Sequence, residues 1–359
     1  MKITDIITKK TKSKRRKVFR IAFSASMYSE SVYVKIVTDG DIYGMGEASP
    51  AAFVTGETID GAIAAVEFMK PALIGADPED PETIHKIMDS KLAGNTSAKA
   101  AIDIACYDIM GKAKGLPVHR LLGATQTVLT TDMTIGIDTT EKMVEDALDR
   151  VSQGFHCLKI KAGINPEEDL EHLAAIRQAV GPDIDIRVDA NQGYDIETAA
   201  EVLKKFPELG ISEAEQPLIS WDLDGMAELK KLSPVPLLID EGVHSPVHAR
   251  WACEKDSGEA INIKLMKCGG IWPALQINEI AKANGKTCIV GCMSETKLGL
   301  AAGAAVVAAC YDNMEPVVDL DSFMSFVEGE GGVTGGFTVD GDKITLSEKP
   351  GFGFDDYEF

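Results

Sequence analysis

The chain has 359 residues, a formal net charge of −20 at pH 7, and 45% hydrophobic residues. This length suits one large domain with a smaller one, and the apolar content predicts a packed core. The acidity argues against nucleic acid and anionic membranes as main partners, because both attract basic surfaces.

The cysteines and the N-terminus indicate where the protein works. The seven cysteines are scattered along the chain, which is not the pattern of a disulfide framework or of a zinc site. The N-terminus lacks the pattern of a signal peptide, and no apolar run is long enough to span a bilayer. We therefore expect a protein of the reducing cytoplasm.

The first 125 residues or so predict an α+β unit. Residues 1 to about 50 alternate apolar and polar positions, as strands do. Within them the basic run "KKTKSKRRK" (9–17) predicts a solvated edge strand, since lysines discourage edge pairing. Residues 57–122 carry apolar positions at helical spacing, and two helical stretches end in glycine.

From about residue 128, short apolar runs alternate with helical stretches. This is the pattern of a parallel α/β barrel. A doubly wound sheet is disfavoured because no glycine-rich phosphate-binding motif follows the first strand. The eight predicted strands are "TTDMTIGI", "CLKIKAG", "DIRVDANQG", "ISEAEQP", "PLLIDEG", "AINIKLMKCGG", "TCIVGCMSET" and "VVDLD".

Charged residues stand at the carboxyl ends of these strands, where parallel barrels carry their chemistry. Five of them recur at intervals of 24–28 residues, about the length of one βα unit. This phase is not expected of surface charges placed by chance. The five are Lys161, Asp189, Glu215, Asp240 and Lys264.

The three carboxylates of this series predict a metal site. Asp189, Glu215 and Asp240 would converge from adjacent strands and repel one another unless a cation lay between them. Oxygen ligands favour a hard ion, Mg²⁺ or Mn²⁺. Any one of them alone would be interpreted as a helix cap or a turn residue. Asn191 and Glu241 follow closely and are expected to orient the ligands.

The two lysines of the series would flank the metal site. Strands two and six lie across a barrel from each other, so Lys161 and Lys264 would face one another over whatever the metal holds. Lys159 alternates onto the same face as Lys161, and its charge is expected to lower the pKa of Lys161. From the residues alone, Lys267 suits the second position as well as Lys264 does.

The ordered motifs "KIKAG", "DANQ", "EQP", "DEG" and "NIKLMKCGG" resemble the enolase superfamily, muconate-lactonizing subgroup, over nearly the whole chain. The resemblance implies a (β/α)₇β barrel over 126–324 and an α+β capping domain over 1–125, completed by 325–359. It also implies that Lys264 rather than Lys267 is the second base, and that the metal is Mg²⁺, with Mn²⁺ as the other candidate.

"VVDLD" adds Asp319 and Asp321, which resemble the paired aspartates that hold the substrate's α-ammonium in dipeptide epimerases. The resemblance then implies a 1,1-proton transfer at the C-terminal residue of a dipeptide, through an enediolate. Lys159, Thr134 and Met293 are expected to be further substrate contacts. Because relatives are commonly oligomeric, we also expect a homo-oligomer.

Substrate preference would be set by capping-domain loops near 20–31 and 49–58. The first loop, "IAFSASMYSES", contains no Lys or Arg, and Arg20 lies just before it. We therefore expect a neutral, small or hydrophobic dipeptide rather than Ala-Glu, because an unmatched buried carboxylate is costly. Glu30 and Glu57 could attract a cationic side chain, but we favour a solvated loop acid and a helix-start acid.

Two other functions remain open from the sequence. An N-acylamino acid racemase or a muconate cycloisomerase would share the lysines and metal ligands, but would not use Asp319 and Asp321 to bind an ammonium. A barrel that binds metal or peptide without catalysis is less favoured, since both lysines and all three carboxylates are present.

Overall fold

The computed structural model describes residues 1–357 and 359, and its N-terminal part is an antiparallel sheet covered by helices. The sheet has the order β1-β2-β3. Helix α1 follows the N-cap Thr58, whose side chain accepts a hydrogen bond from the Gly61 N–H at 3.2 Å. The elements are β1 (Ile3–Ile21), β2 (Ser24–Thr38), β3 (Tyr43–Ala48), α1 (Ile59–Leu73), α2 (Pro81–Lys91), α3 (Thr96–Lys114) and α4 (Val118–Leu121).

Helix α3 packs directly on strand β3. A Cβ atom at Gly44 would lie 2.0 Å from the Ala105 carbonyl oxygen, and one at Gly46 would lie 1.9 Å from the Ala101 oxygen. Only glycine permits this approach of strand backbone to helix backbone. Helix α3 ends at Gly115, whose φ of +66° is a left-handed conformation that favours glycine.

Seven parallel strands, β5 to β11, form the second part in sequential order, with helices between them. In the described residues, none of the helices combines the length and apolar character needed to cross a bilayer. The strands are β5 (Met133–Ile135), β6 (Cys157–Lys161), β7 (Asp185–Asp189), β8 (Ile211–Glu215), β9 (Leu237–Ile239), β10 (Ala260–Ile263) and β11 (Thr287–Val290). The helices are α5 (Thr140–Ser152), α6 (Pro166–Val180), α7 (Ile196–Leu203), α8 (Leu223–Leu232), α9 (Pro246–Lys255), α10 (Leu265–Cys268), α11 (Ile271–Ala283) and α12 (Lys297–Ala309).

The barrel is closed by a short segment between its first and last strands. Val318 bridges Thr131 and Asp319 bridges Gly291, both in parallel. The Asp319 N–H donates to the Val290 carbonyl at 3.1 Å. The predicted strand "VVDLD" is therefore a bridging segment rather than a regular strand. The predicted architecture, a modified (β/α)₇β barrel with an N-terminal α+β unit, is confirmed.

The chain after the barrel contacts both parts of the molecule. It contains a 3₁₀ turn at Ser322–Ser325 and four strands, of which β14 pairs with a strand before the barrel, β4 (Val128–Thr130). The Phe352 N–H donates to Asp108 of α3 at 3.1 Å. The domain boundaries drawn from the sequence stay a prediction. The four strands are β12 (Val333–Gly335), β13 (Phe337–Asp340), β14 (Lys343–Leu346) and β15 (Phe354–Tyr357).

The basic run 9–17 lies on β1, at the edge of the N-terminal sheet, as predicted. The prediction that the whole run is exposed to solvent was wrong, because Ser13 is buried and Arg15 is only 5% exposed. Arg15 forms an isolated antiparallel bridge with Phe326 in the segment beyond the barrel, so this part of the strand has residues of that segment on one side. The alternation of β1 turns every second side chain towards them.

Two buried carboxylates attach the N-terminal unit to the barrel. Asp103 of α3 accepts hydrogen bonds from the N–H groups of Ile271 and Trp272, at 2.6 and 3.3 Å, where α11 begins. Glu47 of β3 accepts the N–H groups of Thr296 and Gly299, at 3.0 and 2.9 Å, where α12 begins. Helix N-termini carry free N–H groups and a positive dipole end, so both contacts are favourable.

We predict that Asp103→Ala loosens this attachment. The change leaves one buried and one partly buried N–H group without this acceptor, and it also removes the carboxylate that lies 2.7 Å from the His85 ring. It should lower the free energy of unfolding by about 2 kcal/mol. Urea unfolding measures the loss, and hydrogen exchange at Ile271 and Trp272 should accelerate. Asp80→Ala removes the exposed N-cap of α2 and serves as the control. Unchanged exchange at both amides in Asp103→Ala would contradict the role of Asp103.

Candidate active site

Three carboxylates converge at the carboxyl end of the barrel. Asp189 and Glu215 are the last residues of β7 and β8 and are register partners, and Asp240 follows β9. All three are buried, and one oxygen from each lies within 4.8 Å of the others. The geometry is that expected from the spacing of these residues along the chain.

Neighbouring side chains hold this trio in place. Asn191 donates from its backbone to Asp189 at 2.9 Å, and from its side chain to Asp189 and Glu241, both at 3.2 Å. Asn191 has a φ of +41° and Gln216 a φ of +38°, unusual for residues other than glycine. Such backbone strain clusters at functional sites.

Three further contacts to the trio were missed from the sequence. Asn262 donates to Glu215 at 2.9 Å, and Lys267 donates to the Asp240 carboxylate at 2.5 Å. Gln216 accepts the Asp240 N–H at 2.9 Å. Period-two alternation places Asn262 on the face of Lys264, so that residue could have been found. Lys267 is fully buried against Asp240, consistent with a positioning rather than a proton-transfer role.

Lys161 and Lys264 line the same cavity and bind different members of the trio. Lys161 contacts Asp189 at 2.6 Å, and Lys264 contacts Asp240 at 2.6 Å. Burial lowers the pKa of Lys264, but Asp240, Glu215 and Asp319 outweigh it and raise that pKa well above its usual range. A divalent cation bound by the same carboxylates would lower the pKa of Lys264 and so offset their effect.

Lys159 is placed differently from its neighbour two residues along. Its ammonium is 2% exposed and lies 3.1 Å from Asp189, 2.7 Å from Glu215 and 2.8 Å from Asp319. Burial lowers its pKa, yet these carboxylates raise it well above the usual value. Lys159 is therefore held charged among carboxylates. The expected effect on Lys161 and the expected substrate contact stay predictions.

Asp319 and Asp321 line the cavity together with Thr134 and Met293. The Thr134 N–H donates to Asp321 at 2.6 Å. Burial, then the charge of Asp319, raises the pKa of Asp321. Cys292 also lies within 4.8 Å of both aspartates. Burial and the two aspartates raise the pKa of Cys292 well above its usual value, which disfavours a thiolate ligand for a second metal.

Asp132 interacts electrostatically with both members of the aspartate pair and was missed from the sequence. Its carboxyl group is fully buried, and neither oxygen has a hydrogen-bond partner in the described residues. Burial and the charges of Asp319 and Asp321 raise its pKa well above the usual value, which favours the neutral acid. Asp132 lies two residues before Thr134, so the period-two alternation of a strand could have placed both on the same face.

The cavity has a volume of about 460 Å³ and lies between the barrel rim and the N-terminal unit. The N-terminal unit contributes apolar side chains to the lining, and it also contributes several serines and three cationic side chains. The apolar ones include Phe19, Ile21, Phe53 and Val54, and the cationic ones are Arg15, Arg16 and Lys17. Glu30 also lines the cavity and lies 3.6 and 3.8 Å from Lys10 and Lys12. Phe19, Ile21, Phe53 and Val54 therefore form an apolar wall within a lining that also carries charged and polar groups.

Glu57 is not a cavity residue. Its carboxylate accepts the Ser97 N–H at 3.1 Å and the Ser97 hydroxyl at 2.8 Å. It therefore caps the N-terminus of α3, rather than the helix that follows it in sequence. The carboxylate is buried there, so a role in attracting a cationic substrate is not supported.

The residues of the trio suit a hard metal ion. All donors are oxygens, and three carboxylates share one small volume. The side-chain oxygens Asn191 Oδ1 and Glu241 Oε2, of residues that adjoin the trio, are buried without a hydrogen-bond partner in the described residues. Unpaired acceptors beside a carboxylate trio suit a cation or the water molecules that it binds. The trio can therefore hold a metal ion.

Comparison with known families agrees with this geometry. Residues 142–356 match the model described as "Enolase C-terminal domain-like". Residues 3–123 match "Mandelate racemase / muconate lactonizing enzyme, N-terminal domain". The chain belongs to the enolase superfamily.

Relatives within the enolase superfamily match the whole chain. The "Hydrophobic dipeptide epimerase" of Enterococcus faecalis is 38% identical over 98% of this chain and 99% of its own length. The "N-succinyl-L-Arg/Lys racemase" of Bacillus cereus is 36% identical over 99% of this chain and 95% of its own. A solved dipeptide epimerase from Enterococcus faecalis V583, complexed with Mg and L-Leu-L-Tyr, has a TM-score of 0.95 and 38% identity, covering 99% of each chain.

We predict that Lys159→Met destabilises the protein and that a divalent cation restores part of the loss. Removing one partner of a buried ion network typically costs about 3–5 kcal/mol, because charges remain uncompensated. Urea unfolding should show a loss of this size in EDTA and a smaller one with added Mg²⁺.

The control is Lys204→Met, which removes an exposed lysine paired with Glu201 and should change stability by less than about 1 kcal/mol. An equal loss for Lys159→Met in EDTA and in Mg²⁺ would contradict the view that Lys159 compensates the same carboxylates that bind the cation.

Proposed function

We propose that the protein is a Mg²⁺-dependent dipeptide epimerase, an isomerase that inverts the α-carbon of a dipeptide's C-terminal residue. The observation that carries this proposal is one cavity containing two buried lysines, each bound to a different carboxylate of a metal-type trio, together with an aspartate pair. The dipeptide epimerase relative that matches nearly the full chain supports it.

Asp189, Glu215 and Asp240 would hold the metal. Bound Mg²⁺ supplies a Lewis acid that stabilises negative charge developing on the substrate carboxylate. The oxygen donors and the Mg bound in the solved relative favour Mg²⁺, and Mn²⁺ accepts the same ligands. Asn191, Glu241, Asn262 and Lys267 would keep the carboxylates oriented.

Lys161 and Lys264 would carry the proton transfer. One lysine, neutral, removes the α-proton of the C-terminal residue, and the electrons left on carbon delocalise into the carboxylate as an enediolate. The other lysine, protonated, delivers its proton to the opposite face. One ammonium is formed as the other is lost, so the total charge in the cavity is unchanged. Each lysine then acts as the base in one direction.

Asp319 and Asp321 would bind the α-ammonium of the dipeptide. They line the same cavity as the lysines and form an anionic region at the segment that closes the barrel. Thr134, whose N–H orients Asp321, and Met293 would lie beside the substrate. A peptide whose ammonium and carboxylate bind at these two places spans the space between them, so this arrangement favours a dipeptide over a free amino acid.

The sequence predicts a neutral, small or hydrophobic dipeptide rather than Ala-Glu, and we propose that this preference holds for the C-terminal side chain of the substrate. The apolar wall formed by Phe19, Ile21, Phe53 and Val54 supports this. The homo-oligomeric state and the cytoplasmic location remain predictions from the sequence.

A second candidate function is racemisation of N-acylated amino acids. It would use the same lysines and metal trio, and the similarity to the racemase of Bacillus cereus favours it over muconate cycloisomerisation. The buried aspartate pair argues against it, because an N-acylated substrate has no ammonium at that position.

We predict metal-dependent deuterium incorporation from D₂O at the α-carbon of the C-terminal residue. Pooled L,L-dipeptides incubated with the protein and Mg²⁺ should gain one mass unit and form the L,D-epimer, and EDTA should abolish both. Lys264→Ala should abolish epimer formation, lowering it by at least about 10³-fold, while Lys161 still exchanges one stereoisomer. Mass spectrometry and chiral chromatography measure the two outcomes.

Lys161→Ala should show the reverse preference for stereoisomer, which makes the two variants controls for each other. Turnover of N-succinylated amino acids without turnover of any dipeptide would favour the racemase. No exchange with either substrate class would overturn the proposal.

We predict that Asp321→Asn weakens dipeptide binding much more than metal binding. Loss of one charge opposite the ammonium should raise KM by about 10–100-fold, since a charge-assisted hydrogen bond contributes about 1.5–3 kcal/mol. Calorimetric titration with Mg²⁺ should show nearly unchanged metal affinity. A collapse of metal affinity would show that Asp321 supports the metal trio instead.

A further inference from the structure

The basic run of β1 contributes Arg15, Arg16 and Lys17 to the lining of the active-site cavity, and of these three only Arg15 is buried. Arg15 is 5% exposed and lines the cavity beside Asp321. It donates from Nη1 to the Ser325 hydroxyl and from Nη2 to the Ser294 hydroxyl, both at 2.7 Å. The rings of Phe19 and Phe326 lie 5.2 and 5.3 Å from its Cζ atom.

The described residues supply this cation with fewer acceptors than it has N–H donors. A guanidinium has five N–H donors, and serine hydroxyls accept from two of its nitrogens. The Nε atom is buried with no hydrogen-bond partner, and no carboxylate in the described residues forms an ion pair with the group. Arginine stays protonated in proteins, so an unneutralised charge faces the cavity wall. A ligand oxygen would supply what the protein does not.

The position of Arg15 indicates which part of a ligand it meets. Asp321 interacts electrostatically with Arg15, and Ser325, which accepts a hydrogen bond from Arg15, lies in the 3₁₀ turn that directly follows Asp321. Neither hydrogen-bond partner of the guanidinium belongs to the metal trio. If the α-ammonium binds at Asp319 and Asp321 and the C-terminal carboxylate at the trio, Arg15 lies towards the N-terminal residue. The side chain of that residue is then the group within its reach.

We propose that Arg15 selects the N-terminal residue of the substrate. It favours a side chain that carries a carboxylate or amide oxygen, and it rejects a cationic one. This inference rests on the proposed dipeptide function and deepens it, because it concerns the side chain of the N-terminal residue.

A purely structural role makes a different prediction. Ser294 and Ser325 both belong to the barrel side of the cavity, so Arg15 also joins the N-terminal unit to the barrel. Loss of a contact that only joins the two parts of the molecule would weaken the binding of every dipeptide to the same degree. Loss of a selecting residue changes the ranking of peptides that differ only in the N-terminal side chain.

The test is calorimetric titration of the full-length, Mg²⁺-loaded protein with L-Asp-L-Leu, L-Asn-L-Leu, L-Leu-L-Leu and L-Lys-L-Leu. The first two should bind at least about 10-fold more tightly than the lysine peptide. Arg15→Met should weaken the binding of the first two peptides by about 10-fold or more. It should change the affinity for L-Leu-L-Leu by less than about 3-fold and should tighten the binding of L-Lys-L-Leu.

Two variants control for charge and for folding. Arg15→Lys keeps the positive charge but loses the planar donor geometry, and should retain rejection of the lysine peptide with only part of the preference for oxygen-bearing side chains. Lys14→Met removes one positive charge from the adjacent, exposed position of β1, outside the cavity lining, and should leave the ranking unchanged.

An equal loss for all four peptides in Arg15→Met, or the absence of any ranking in the unaltered protein, would overturn the inference. Deuterium exchange measured on the same peptides separates it from the proposed function. An Arg15-dependent ranking without exchange supports the inference and overturns the epimerase. Exchange without a ranking supports the epimerase and overturns the inference.

Discussion

The ammonium group of Lys159 is the contact on which the active end of the barrel depends. It lies within 3.1 Å of carboxylates from β7, β8 and the segment that closes the barrel. Without a central positive charge, buried carboxylates would drive these elements apart or bind protons. The same ammonium therefore links the metal trio to the aspartate pair, and explains how so much negative charge is buried at one end of a barrel.

The architecture and the main site residues were predictable because strict periodicities expose them. One charged residue per βα unit marked Lys161, Asp189, Glu215, Asp240 and Lys264, and the structure places all five around one cavity or trio. In a parallel barrel the carboxyl ends of the strands meet at one rim, so residues that recur once per βα unit lie close together in space.

Three residues have contacts that could not be predicted from the sequence, and each has a physical reason. Arg15 lies in a run of exposed lysines, and its hydrogen-bond partners Ser294 and Ser325 lie 279 and 310 residues away along the chain. Asp132 precedes β5 and has no charged partner that a local pattern could reveal. Lys159 was expected to act by repelling Lys161, since its three carboxylate neighbours lie 30 to 160 residues along the chain. Long-range contacts of this kind follow from the closed barrel and not from periodicity.

The attachment of the capping unit through Asp103 and Glu47 uses the backbone N–H groups of two helix N-termini. Those groups are present whatever side chains the helices carry, and neither carboxylate lines the cavity. Anchoring and substrate recognition therefore use largely separate positions. The apolar loop residues between 49 and 58 can therefore change by mutation while the N-terminal unit stays attached to the barrel. Such mutations could change the substrate preference of the protein without changing the lysines that transfer the proton.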